Sequence, residues 1–331
     1  MKKILLYIVC MFCIFCAHAQ NYHFSQFYST PLWNNPALTG YIPGSYRIAA
    51  NFRSQWMGGG SPYLTGSLST DFRVLKNGIA EGNKLGVGLA LLSDQSMNGA
   101  LKQNTIAFST AYNISLDADN INSFGLGLHG SYSKRTVDYT NLTFENQFSS
   151  TGFNATIPVA EQFSNSKKGH FDVGVGFLFN QVQENYSFFI GTSAFNLLQR
   201  KQNIDIEDFK LPVRYTIATG GQTDVGYAGI VYLSVNHQRQ GAAYETTIGG
   251  AYGIKIGEIK KQELDLGLWY RVNDAAIPYI GYQLEGFRAG ISYDYTTSSL
   301  KTGGMVRNSF EISFIYQQPD NSELKRLIPW Y

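Results

Sequence analysis

Four histidines lie beyond residue 20, at His23, His129, His170 and His237, and imidazole is the commonest metal ligand and acid–base group near neutral pH. None has a second histidine, a cysteine or a close carboxylate at metal-ligand spacing. They read as isolated polar side chains, and no metal or cofactor is expected. Ser131-Tyr132-Ser133-Lys134 has a serine-to-lysine spacing that some acyl-transfer enzymes use, but it falls at a strand end beside a long connection, where chance explains it. No Ser/His/Asp order and no defensible pair of carboxylates is present, so the expectation is a protein without catalytic activity.

Glycine pairs at Gly86 and Gly88, Gly125 and Gly127, and Gly174 and Gly176 could suggest a phosphate cradle. Such a loop must join a strand to a helix, whereas these glycines sit inside strands, alternating with large apolar residues. The expected role is strand curvature, ahead of the alternative that another segment of backbone docks against them.

Nine charged residues are the strongest candidates for a shared function: Arg47, Arg53, Asp71, Arg214, Asp265, Arg271, Arg288, Asp294 and Glu311. Opposite charges withdrawn from water pair with one another to offset desolvation, and the mixed signs favour an internal network that stiffens a wall. The second reading is that part of this network contacts a partner or closes a pore.

The elements that carry these residues have a period of two. Tyr46, Ile48, Ala50 and Phe52 share one face of a segment whose other face holds Arg47, Asn51, Arg53 and Gln55. Leu264, Leu266, Leu268 and Tyr270 oppose Asp265, Gly267, Trp269 and Arg271, and Phe310, Ile312, Phe314 and Tyr316 oppose Glu311 and Ser313. A lipid-facing exterior around a polar lumen explains both faces. A soluble β-sandwich would alternate in the same way with its apolar face packed inside, so other features must decide.

Composition and the N-terminus decide for the membrane. Charged residues make up 15% of the chain and aromatics 15%, with 34 glycines and a net charge of +2, where globular proteins carry about 25% charged residues. No basic patch invites nucleic acid. Lys2 and Lys3 precede an apolar run from Ile4 to Cys16, and Ala17-His18-Ala19 offers a small-residue cleavage site. That pattern predicts a cleaved signal peptide over 1–19. Cys10, Cys13 and Cys16 all lie within it, so the mature chain would have no thiol or disulfide. Beyond it, no apolar run is long enough to span a bilayer as a helix, so a membrane form must be a barrel.

About fourteen runs have the roughly ten-residue length of a tilted membrane strand. Their centres fall near Asn51, Ser67, Leu89, Ala107, Leu128, Val175, Phe189, Ile217, Leu233, Ile248, Leu266, Pro278, Ile291 and Ser313; those at Leu233 and Pro278 have no clearly apolar face. With the N-terminus placed in the periplasm, the outward connections include the three longest of the later chain, 134–169, 196–211 and 297–307. The short connection at Asn273-Asp274 and the long one at 73–83 depart from that sorting. The expectation is therefore an all-β transmembrane outer-membrane barrel of about fourteen antiparallel strands over 44–316. A periplasmic N-terminal segment, 20–43, and a periplasmic tail, 317–331, flank it, and either could instead plug the lumen.

Phe24-Ser25-Gln26-Phe27 and Asn35-Pro36-Ala37-Leu38-Thr39-Gly40 resemble the opening of the PorP/SprF family of Bacteroidetes outer-membrane proteins. Tyr46-Arg47, Asn51-Phe52-Arg53-Ser54-Gln55-Trp56, Pro62-Tyr63 and Ser69-Thr70-Asp71 follow in the family's order. So do Leu211-Pro212-Val213-Arg214-Tyr215, Tyr270-Arg271 with Asp274-Ala275, Gly281-Tyr282-Gln283 and Gly290-Ile291-Ser292-Tyr293-Asp294. The resemblance implies a component of the type IX secretion system, with the SprF-like branch favoured. It implies a non-catalytic barrel that binds, escorts or anchors a secreted adhesin of the gliding-motility type through the adhesin's C-terminal sorting domain. The implied partners are that adhesin, type IX secretion components and outer-membrane lipid, with no small-molecule substrate. The alternatives are a structural core piece of the machine with periplasmic partners, or a passive porin.

Overall fold

A computed structural model describes residues 22–57, 61–76, 78–139, 142–149, 152–154, 156–157, 167–199, 201–204, 207–226, 229–257, 262–298 and 307–318. The expected signal peptide, the three cysteines and the tail beyond 318 lie outside these. Fourteen antiparallel strands close into one barrel: β1 Tyr46–Met57, β2 Tyr63–Val74, β3 Lys84–Ser96, β4 Leu101–Ser115, β5 Asn122–Val137, β6 Lys167–Val182 and β7 Tyr186–Phe195. The second half is β8 Arg214–Val225, β9 Gly229–Gln240, β10 Ala243–Gly257, β11 Gln262–Arg271, β12 Ala275–Leu284, β13 Phe287–Thr296 and β14 Asn308–Gln317. Each strand pairs with its sequence neighbours, and β1 pairs with β14 to close the ring, with Arg53 opposite Glu311. All fourteen expected centres fall within these strands.

Period-two alternation sorts the side chains as a membrane barrel requires. Ile48 and Phe52 of β1 are exposed outward while Arg47, Asn51 and Arg53 are buried inward, and β11 and β14 repeat the scheme. No helix among the described residues is long and apolar enough to cross a membrane. Connections 138–166, 196–213 and 297–307 all leave one end of the barrel, and those at 183–185, 226–228 and 285–286 leave the other. The longest connection is shorter than expected because β5 and β6 extend to Val137 and back to Lys167.

The segments with no clearly apolar face have a physical explanation. On β9 Leu233 faces out at 63% exposure while Ile230 and Tyr232 are buried inside, and on β12 Ile280 faces out while Ile277 and Tyr279 face in. Here the lumen itself is apolar, so both faces carry large hydrophobic residues. Ile230, Tyr232, Trp269, Ile277 and Tyr279 form one buried cluster with Phe27 and Tyr28 of the N-terminal segment. Pairing of β12 with β13 lapses at Ile277 and Pro278, since proline has no N–H for the ladder.

Residues 22–43 are inside the barrel. They bond to inward-facing groups of β1, β2, β4, β5, β7, β8, β13 and β14, a circle of partners that only a chain in the lumen can reach. Three short turns build the plug: Phe27–Ser29, Pro31–Asn34 and Pro36–Leu38. Pro31 and Pro36 each open a turn where proline's fixed φ is pre-set and its missing N–H costs nothing. At one end Tyr22 packs by Arg214 and His23 by Glu245, at the mouth from which the long connections leave. At the other, the Arg73 guanidinium donates to the Pro43 carbonyl and Lys84 lies over the Tyr41 ring. The chain thus threads the lumen from mouth to mouth before it begins β1.

Candidate functional site: the plugged lumen and its charged wall

Glu311 organises the plug's upper half. Its carboxylate accepts the backbone N–H of Ser25 at 2.8 Å and of Gln26 at 2.9 Å. It also accepts the Asn51 amide at 2.8 Å and the Arg53 guanidinium at 3.0 Å. Arg53 continues to Asp294 at 2.8 Å, which Arg271 meets at the same distance from the other side. The Ser25 hydroxyl donates to Asp294 and accepts from both arginines. Side chains distant in sequence thereby share one buried cluster with the plug's own backbone. The pair Arg53–Glu311 also bridges the β1–β14 closing seam.

Arg47 and Asp71 form a second site lower in the lumen. They are fully buried and joined at 2.9 and 3.0 Å, and both grip the plug: Arg47 donates to the Leu38 carbonyl and Asp71 accepts the Gly40 N–H at 2.7 Å. Asp265 and Arg288 form a third pair, 3.8 Å apart, beside Tyr232, whose hydroxyl donates to Glu263 at 2.6 Å. Arg214 stands apart. It donates to the Trp33 carbonyl at 2.9 Å, meets the Tyr22 hydroxyl and faces the rings of Tyr22 and Phe195, with no carboxylate in ion-pair range among the described residues. The nine expected residues thus occupy four places along one lumen. Glu245 and Asp274, which contact Arg271, and the plug residues Ser25 and Gln26 were not among the candidate site residues, although Ser25, Gln26 and Asp274 lie in stretches that carry the family resemblance. Ser25 and Gln26 carry no charge, and only the tertiary fold brings charge to them.

His23 lies 3.8 Å from Glu245. Burial pushes the imidazole down to about 4; Glu245 opposes that shift, and Arg53 and Arg271 reinforce it. The ring is therefore neutral at neutral pH, and its contact with Glu245 is not an ion pair.

The expected curvature role of the inward glycines is corrected at Gly86 and Gly127. A Cβ on Gly127 would stand 2.2 Å from the Ala37 nitrogen, and one on Gly86 2.2 Å from the Thr39 carbonyl oxygen. Backbone of the plug lies directly on backbone of the wall, so the docked segment, not curvature, requires these positions. Gly40 faces Gly86 and has φ +68°, in the left-handed region. Asn35 holds the same contact: its Oδ1 accepts the Ala37 N–H at 2.9 Å and its Nδ2 donates to the Phe177 carbonyl at 2.9 Å.

The sequence matches the family model for the type IX secretion system membrane protein PorP/SprF over residues 17–316. The chain belongs to the PorP/SprF family. A search of curated proteins finds no match. Among solved structures it is similar to the toluene transporter TbuX of Ralstonia pickettii, with TM-score 0.50 and 9% identity over 87% of this chain and 92% of that one. It is similar also to the CymD monoaromatic hydrocarbon channel, with TM-score 0.50 and 9% identity over 88% and 93%. At such identity the likeness speaks to the fold alone, an outer-membrane barrel. The family is that of a secretion-system membrane protein, and the fold is that of an outer-membrane barrel. In this PorP/SprF barrel the motif Asn35 to Gly40 is the stretch that seats the plug, and Phe24 to Phe27 is the stretch bound by Glu311 and Asp294.

No group of three or more His, Cys, Asp or Glu among the described residues could hold a metal ion. What the site can do chemically is bind: it presents charge-assisted hydrogen bonds to backbone amides and hydroxyls in a space sheltered from water.

Proposed function

We propose that this PorP/SprF protein is a closed outer-membrane scaffold of the SprF-like branch. Its long-connection end faces the cell exterior, where connections 138–166, 196–213 and 297–307 hold or escort one exported surface adhesin by its C-terminal sorting domain. The observation that carries the reading is the filled lumen. Plug residues from Phe24 to Ile42 are almost all buried, and the wall's arginines and carboxylates are spent on one another and on the plug. A barrel in that state offers partners its rim rather than a conduit, which argues against a passive porin.

Removing residues 140–165 should leave a folded, heat-modifiable barrel in the outer membrane while surface display of the adhesin falls several-fold; unchanged display would reject the rim as the cargo contact. Affinity purification from cells should bring down a large surface adhesin. Recovery of periplasmic machinery without any adhesin would favour the structural core role instead.

A further inference from the structure

Among the nine charged wall positions, Arg214 is the arginine with no carboxylate in ion-pair range among the described residues. Arg47, Arg53, Arg271 and Arg288 each have one within 4 Å, whereas Arg214, 5% exposed, meets the Trp33 carbonyl, the Tyr22 hydroxyl and two aromatic faces. An uncompensated buried charge is costly. Asp94, whose charge is felt at Tyr22, accepts the Thr65 hydroxyl at 2.6 Å and makes no ion pair with Arg214.

Arg214 borders a narrow, partly open cavity of about 20 Å³, lined also by Trp33, His129, Thr105, Ser133 and Phe195. Three buried nitrogens around it have no hydrogen-bond partner among the described residues: Arg214 Nε, Trp33 Nε1 and His129 Nδ1. Two are obligatory donors, and the imidazole becomes a third in the matching tautomer. Buried donors left unmade cost about 1–3 kcal/mol each, so three of them on residues lining one cavity, beside a guanidinium that no described carboxylate neutralises, call for a negatively charged acceptor.

We propose that this cavity is a carboxylate site at the long-connection mouth of the barrel. Arg214 supplies the charge and Trp33 and His129 the orienting donors. Room for little more than one water-sized group means that the carboxylate arrives at the tip of a stem, past the ring of Tyr22 at the cavity's edge. Because Trp33 and Tyr22 belong to the plug, an occupied site ties the ligand to the plug as well as to the wall. The site stands whether or not the barrel carries an adhesin, since it rests on Arg214 and its surroundings alone.

The test uses the full mature protein in detergent. Formate titrated against chloride at constant pH and ionic strength should raise the thermal unfolding midpoint saturably, and crystals grown in formate should show a carboxylate on Arg214 Nε. Arg214→Gln should weaken the effect at least tenfold. Should that variant not fold, Trp33→Phe, which keeps an aromatic ring and removes the donor, should weaken it several-fold. Three tripeptides separate the sources of the group: Gly-Gly-Gly with a free terminus, Gly-Gly-Glu amide, and Gly-Gly-Gly amide as control. Binding by the first reads a chain-end carboxylate, by the second an acidic side chain, and by formate alone a small free anion. An ordered water at Arg214 Nε with no midpoint shift would overturn the proposal. So would a shift that survives both substitutions, or equal binding of the control amide.

Discussion

Glu311 concentrates more of this protein's architecture than any other described side chain. Its two oxygens hold Arg53 across the closing seam, the Asn51 amide and two backbone N–H groups of the plug. Glu311→Gln keeps the size and removes the charge, leaving Arg53 with Asp294 alone. The expected outcome is a barrel destabilised by roughly 3–5 kcal/mol, the cost of breaking a buried ion pair, read as a lower urea midpoint. His23 predicts a pH dependence of the plug. Its pKa is about 4 when seated and near 6.5 when released, so between those values the released state binds more protons. The imidazole's contribution to seating is therefore complete above about 6.5 and lost as pH falls toward 4. Limited proteolysis within residues 22–40 should accelerate over that window, and His23→Gln should flatten the dependence; an equally steep profile in the variant would assign it to another group.

At the scale of elements, the plug and the strands are fitted backbone to backbone. Gly127→Val would place a branched side chain where Ala37 now lies, whereas a Cβ at Gly130, on the outward face of the same strand, meets nothing within 4 Å. Gly127→Val should therefore give a closed ring of strands whose N-terminal segment is protease-sensitive, while Gly130→Ala should match the parent in both respects. Asn35→Ala removes the cap of the Pro36–Leu38 turn and the bond to Phe177, a loss of about 1–2 kcal/mol measurable as earlier thermal release of the plug. The alternation of side chains made the fourteen strands legible, because lipid on one side and a lumen on the other impose a period of two. That same signal blurred at β9 and β12, where Tyr232, Ile277 and Tyr279 face an apolar stretch of plug rather than water.

For the molecule as a whole, the plug decides whether the barrel is a channel. The intact protein in a planar bilayer should carry no steady current, and a variant lacking residues 22–40 should carry one, its lumen then lined by the freed charges of Arg47, Asp71, Arg53 and Glu311. A steady open current from the intact protein would mean that the plug leaves its seat in the membrane, and would return the porin reading to first place. Threading from mouth to mouth also puts Tyr22 and His23 at the mouth from which the long connections leave, so a change at the rim can reach the seated segment through Arg214 and Trp33.

The sequence by itself determined the strand count, the outward and inward faces, the sorting of long and short connections, and the nine charged positions of the wall. Each of these follows from local alternation or from residue type, which a linear reading captures. The tertiary structure alone decided that Phe24 to Gly40 fills the lumen, that Gly86 and Gly127 are there for its backbone, and that Arg214 meets no acidic partner among the described residues. Those facts depend on which inward positions of strands far apart in the chain meet across a closed ring, and a cylinder some fourteen strands around sets those distances by its closure, not by spacing along the chain.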